Sequence, residues 1–258
     1  MNLIRRDRLF FALGLVIVSG LAWAYLVRMA SAMSAAADEA AMHAAMGMTM
    51  TGGETSLVAE LGSLWLMWAI MMAAMMLASA APVALVVLGS YRHRDEASAR
   101  VSGVAFVGGY LFVWTLFSGL AAAAQVLLRK ATLLSPGMAT NSRLVAAGVL
   151  IAAGIYQWLP LKAACLAHCQ SPIEFLARHW KAGMRGAFDM GARHGTYCVG
   201  CCWMLMALLF VGGVMNLLWV AAIALFVLLE KQLRLGAWPS RLGGVLLVAW
   251  GVVIVMRS

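Results

Sequence analysis

Charge is scarce in this chain: Asp, Glu, Lys and Arg make up 11% of its 258 residues, against 64% hydrophobic ones. That balance excludes an ordinary soluble domain, because a water-exposed fold of this length has no core large enough for so much apolar side chain. Lipid is the solvent that accounts for the rest. The sequence has no Gly-rich phosphate-binding loop and no large soluble domain, so transport driven by ATP would need a partner. The net charge of +9 does not signal nucleic acid, since the basic residues bracket apolar runs and follow membrane topology. Catalysis is not implied.

Apolar runs are what the chain has in plenty. Windows of about 20 residues mark them near residues 9–28, 62–90, 102–127, 144–161, 197–214, 217–230 and 242–256. They predict an all-α, polytopic transmembrane helical bundle of about seven spans. The last two runs are short, and Val214, Met215 and Asn216 join the sixth tightly to the fifth, so a re-entrant hairpin is the alternative there. Lys and Arg fall mostly in the loops on the side of the N-terminus, Lys162 and Lys231 among them, and this bias predicts a cytoplasmic N-terminus and an outer C-terminus. Residues 1–30 read as an N-terminal anchor helix; their basic lead and Ala22, Trp23 and Ala24 also suit a cleavable signal peptide. Residues 31–61 read as an outer Met-rich loop, and residues 62–258 as the bundle, with a cytoplasmic loop over 162–196. Glu230, beside Lys231 at the end of the sixth run, is expected to snorkel to the interface.

Both loops carry signals. The outer one holds Met42, His43, Met46, Met48 and Met50; thioether and imidazole are ligands for Cu(I), which predicts an outer site of metal collection. The bland alternative is an Ala- and Met-rich helix packed on the bundle. In the inner loop Ser171, Pro172 and Glu174 form a helix start with a capping box. Ile173, Leu176, Ala177, Trp180, Met184, Ala187 and Phe188 then make an apolar stripe, with Arg178, Lys181 and Arg185 facing elsewhere. This predicts one interfacial amphipathic helix on anionic head groups.

The five cysteines all flank that loop. Cys165, His168 and Cys169 are spaced i, i+3 and i+4; His194, Cys198, Cys201 and Cys202 are spaced i, i+4, i+7 and i+8. Each set therefore shares one helical face. Cytosolic thiols stay reduced, and thiols beside His and basic residues are soft-metal ligands. Zinc would need four closed ligands, whereas Cu(I) needs two or three. Burial as small apolar residues and thiol redox chemistry stay open as alternatives. In the second run Met67, Met71 and Met75 lie four apart, with Met72 and Met76 on the adjoining row, and Met204 and Met206 on the fifth are able to continue the strip. Such a strip is a packing face or a thioether ladder that carries Cu(I) without a costly carboxylate in lipid. Pro82 is expected to kink the second run.

The segments LWLMWAIMMAAMMLASAAP, YQWLPLKAACLAHCQSP and GAFDMGARHGTYCVGCCWMLMALLFVGGVMNLLWVA resemble the signature blocks of a bacterial family of predicted metal-binding integral membrane proteins. The resemblance spans roughly residues 60–235 and falls on Met67 to Met76, Cys165 to Cys169 and His194 to Cys202; the outer Met loop lies outside it. It supports a bacterial inner-membrane protein that binds a soft metal, copper first and zinc second, at Met71, Met72, Met75, Met76 and the two Cys/His sets. Copper transport or delivery to a membrane cuproenzyme is the expected function, with a periplasmic metal-binding protein as a further expected partner. The alternatives are a thiol oxidoreductase using Cys198 and Cys201 as a Cys-x-x-Cys pair and a structural subunit of a membrane complex.

Overall fold

A computed structural model describes residues 3–46, 56–94, 99–134, 138–233 and 236–257. Among them are ten helices: α1 (Leu3–Ala45), α2 (Leu57–Arg94), α3 (Ala99–Lys130), α4 (Arg143–Tyr156), α5 (Pro160–Gln170), α6 (Pro172–His179), α7 (Gly183–Ala207), α8 (Leu209–Gly212), α9 (Leu217–Gln232) and α10 (Trp238–Met256). Five stretches are long and apolar enough to cross a membrane: Arg6–Ala36, Leu57–His93, Ala99–Lys130, Gly183–Gly212 and Trp238–Met256. A sixth is added if α4 and α5, bent by 64° to one another, count as one broken span. The sixth apolar run of the sequence is the helix α9, which at 16 residues is shorter than the roughly 20 that a span needs.

Ion pairs mark the two ends of the bundle. At one end Asp7 of α1 is buried between Arg92 of α2 (2.9 Å) and Arg100 of α3 (2.6 Å). At the other, Glu60 of α2 pairs with Arg129 of α3, and the Arg143 guanidinium at the start of α4 donates to the Arg257 carbonyl after α10. In between, α1 docks on α2 through Trp23 Nε1 and Ser19 Oγ, which both donate to the Ala74 carbonyl.

Helices α3 and α7 make the closest approach. A Cβ on Gly109 would lie 2.0 Å from the Phe188 carbonyl oxygen, and one on Gly191 would lie 1.9 Å from that of Phe106. Only glycine lets two backbones meet like this. The contact fixes Tyr110, next in sequence to Gly109, against the face of α7 that carries His194 and Cys198.

Several boundaries differ from the sequence expectation. The outer Met-rich loop does not start at residue 31, because α1 continues to Ala45 through a segment of strong helix formers, Ala and Met. The run at 144–161 is cut at Tyr156, and Pro160 opens a separate helix, as suits a residue with no N–H to donate. The loop over 162–196 is itself largely helical. Its single amphipathic helix is instead two: α6 ends at His179, and α7 begins at Gly183, whose φ of +75° is a turn that favours glycine. Consequently the stripe is divided, with Leu176 and Ala187 buried while Ile173 and Met184 are exposed. Ser171 makes no side-chain cap to α6, and Glu174 pairs with Arg178 at 2.8 Å. Pro82 sits inside α2 without ending it.

Candidate metal centre

The helix α7 begins well before the apolar run at 197–214. Its first half bears Asp189, which pairs on the exposed surface with Lys181 (2.7 Å) and Arg193 (3.0 Å). Apolar residues dominate the second half. His194, Cys198, Cys201 and Cys202 lie where the two halves meet, and all four are buried on one face, as the i, i+4, i+7, i+8 spacing predicts. The Cys201 and Cys202 thiols donate to the Cys198 carbonyl at 3.1 and 2.9 Å, the back-bonding expected of small polar side chains in a helix.

A fourth thiol comes from a different element. Cys169, buried on α5, reaches the Cys201 thiol, which also contacts those of Cys198 and Cys202. Cys165, one turn earlier and half-buried, rests its sulfur 2.8 Å from where a Cβ of Gly200 would sit, so that glycine lets α5 lie close against α7. All five cysteines are free thiols. The structure thus brings the two cysteine segments together.

The histidines divide. His194 is enclosed by the rings of Phe175, Tyr110 and Phe106, at 5.3, 5.7 and 6.0 Å, and its buried Nδ1 has no hydrogen-bond partner among the described residues. His168 stacks on Tyr197 at 4.2 Å, and its Nδ1 lies 2.8 Å from the Ala164 carbonyl oxygen, an aromatic setting different from that of the thiols.

The methionine strip of α2 belongs to the same apolar core as the thiols. Met67, Met71, Met72, Met75 and Met76 are buried there with Met206 and with Cys169, Cys198, Cys201 and Cys202. Tyr110 links the two sets: its hydroxyl lies 3.0 Å from the Cys198 sulfur and donates to the Met76 carbonyl at 3.2 Å. On the outer segment, Met42 and Met46 are exposed and His43 lies 3.8 Å from Glu39; Met48 and Met50 lie outside the described residues.

Sequence reasoning missed the charged groups of this core. Lys231, expected among the cytoplasmic loop charges, is buried, and its ammonium donates to the Cys198 sulfur at 2.8 Å and to Ser79 Oγ at 3.2 Å. Glu230 does not snorkel to an interface: it is 3% exposed and accepts from Lys162 at 2.8 Å on both oxygens and from Ser240 at 2.7 Å. Lys162, equally expected in a loop, is completed by Gln157. One available signal was the shortness of the run that leads to Lys231.

Chemically, the centre offers four buried sulfurs, one lysine amine and one phenol packed in the core. Thiolate and thioether donors select soft cations such as Cu(I). Among the described residues no three His, Cys, Asp or Glu side chains form a ready-made metal site, which a closed four-ligand zinc centre would require; a two-coordinate cation needs only two of the thiols.

No curated protein and no solved structure matches the chain. One family pattern does, over residues 65–254, and its family is described as copper chaperones. That stretch is most of the chain and contains the Met strip, both cysteine segments and the buried lysines, so the protein belongs to the PpoB2 copper chaperone family.

Proposed function

We propose that this protein is an integral membrane copper chaperone of a bacterial inner membrane, which holds Cu(I) as cargo on its buried thiols and hands it to a membrane cuproenzyme or a periplasmic metal-binding protein. The observation that carries the reading is the convergence of Cys169 from α5 with Cys198, Cys201 and Cys202 from α7 in one buried cluster. A set of neighbouring thiols lets the ion pass from one sulfur pair to the next without leaving soft donors. The Met strip of α2 extends those donors through the apolar core with uncharged side chains, which lipid and a dry interior tolerate far better than carboxylates. Apolar helices of spanning length support the membrane setting, and membership of a copper chaperone family supports delivery over catalysis.

The test is metal content. Protein purified under reducing conditions should carry copper, and a Cys198→Ser, Cys201→Ser, Cys202→Ser triple variant should lose most of it, together with the ability to activate the recipient enzyme. Equal copper in both samples would remove the cluster as the site.

A further inference from the structure

Two histidines stand apart from the thiol cluster in a group of rings of their own. His168 of α5 and His179 at the end of α6 have ring centres 6.4 Å apart. The Nδ1 of His168 lies 2.8 Å from the Ala164 carbonyl oxygen, and that of His179 lies 3.1 Å from the Phe175 carbonyl oxygen. A carbonyl oxygen only accepts, so both Nδ1 atoms donate, and Nε2 is the lone-pair nitrogen left on each ring. Stacking completes the hold, with His168 on Tyr197 at 4.2 Å and His179 on Phe175 at 5.0 Å. Among the described residues neither Nε2 makes a hydrogen bond. A histidine that ligates a metal is characteristically fixed in this way, its other ring nitrogen donating to a backbone carbonyl.

We infer that His168 and His179 form a second metal site, a two-imidazole clasp for a monovalent soft cation, through which the ion passes between solvent and Cys169. The passage to Cys169 rests on the reading above, in which the thiols hold the metal; the clasp itself does not. Spacing supports it. An ion about 2 Å from a nitrogen of each ring stands roughly 3 Å from each ring centre, so rings about 6 Å apart hold one two-coordinate cation between them. Imidazole suits copper, whereas a zinc site that stops at two protein ligands is incomplete. Solvent reaches the clasp through a cavity of about 250 Å³ between α5 and α6, which His168 lines together with the exposed ion pair of Glu174 and Arg178. On the inner side, Cys169 follows His168 in sequence, is buried, and reaches the Cys201 thiol. Sulfur is the softer donor, so an ion caught by the imidazoles moves on to the thiols.

Titration of the full chain in detergent with Ag(I), a redox-stable monovalent probe, tests this. Wild type should take up a tight fraction on the cysteines and one weaker equivalent besides. His168→Phe and His179→Phe keep a ring to stack on Tyr197 and Phe175. Each should retain the tight fraction, lose the weaker equivalent and load the cysteines several-fold more slowly. A weaker equivalent that survives in both variants overturns the clasp, and an unchanged loading rate overturns the passage to Cys169. A variant with all five cysteines changed to serine separates the clasp from the reading beneath it. That variant should lose the tight fraction and still hold one ion, whose X-ray absorption spectrum with Cu(I) shows two nitrogen neighbours. Tight uptake equal to that of wild type overturns the thiol reading and the passage with it; no uptake, with helix content intact, overturns the clasp.

Discussion

At the scale of the residue, the centre is a case of charges placed where a hydropathy reading does not look for them. His194, Cys198, Cys201 and Cys202 were legible because they lie on one helix, where spacing alone fixes a face. Glu230, Lys231 and Lys162 were not, because a charge at the edge of an apolar run is ordinarily read as its watery flank. Their burial depends on where α9 stops. At 1.5 Å per residue its 16 residues reach about 24 Å, short of the roughly 30 Å hydrocarbon core, so its last residues end among α2, α5, α7 and α10. The Lys162/Glu230 pair then joins α5 to α9 inside the protein, and its removal has a definite sign. Glu230→Gln leaves the Lys162 ammonium buried without a counterion and should cost about 3–5 kcal/mol, read as a lower thermal midpoint in detergent. The double variant Lys162→Met, Glu230→Leu should recover most of that loss, since two apolar groups leave no orphaned charge. A double variant as unstable as the single one would mean that Gln157 and Ser240 need the pair for their own hydrogen bonds.

At the scale of the element, the site depends on how closely α3, α5 and α7 approach one another. The sequence gives the Met strip of α2 its helical register and gives each cysteine segment its face, but pairing between elements is a tertiary fact. Gly109, Gly191 and Gly200 carry it, and nothing in their sequence spacing marks them as contact points between helices. The break at 180–182 was equally hidden, because the apolar stripe of residues 173–188 continues in register through it, and only the turn at Gly183 separates the halves. Gly191→Ala tests the role of close approach. Its new methyl would fall 1.9 Å from the Phe106 carbonyl oxygen, so α3 and α7 must separate, at a cost of about 1–3 kcal/mol or more. Because the Tyr110 contact with Cys198 spans that interface, metal retention should drop along with the thermal midpoint. Gly108→Ala is the matched control. A Cβ there meets nothing within 4 Å, and alanine is the better helix former, so stability and metal retention should hold or rise.

At the scale of the whole molecule, the ion pairs divide the bundle into two ends, and the division makes a topological prediction. Asp7, Arg92 and Arg100 bring the start of α1, the end of α2 and the start of α3 to one end. The start of α7 belongs there too, because α7 runs parallel to α3: Gly191 lies against Phe106 and Gly195 against Val113. Glu60, Arg129, Arg143 and Arg257 mark the other end. With the N-terminus in the cytoplasm, as the basic residues suggest, the end of α2, the start of α3 and the Lys181 turn face inward, while the end of α3, the start of α4 and the end of α10 face outward. The exposed Lys181, Asp189 and Arg193 network on the first half of α7 then lies on the cytoplasmic side, and the thiols sit between it and the apolar half of the bundle. Reporter fusions decide the matter. A periplasm-active phosphatase should be inactive when inserted at residues 95–98 and active within residues 131–142 or after Arg257. Activity at 95–98 would invert the molecule and place Asp189 and Arg193 outside. The thiol cluster would then open toward the oxidising compartment, where copper delivery would compete with disulfide formation.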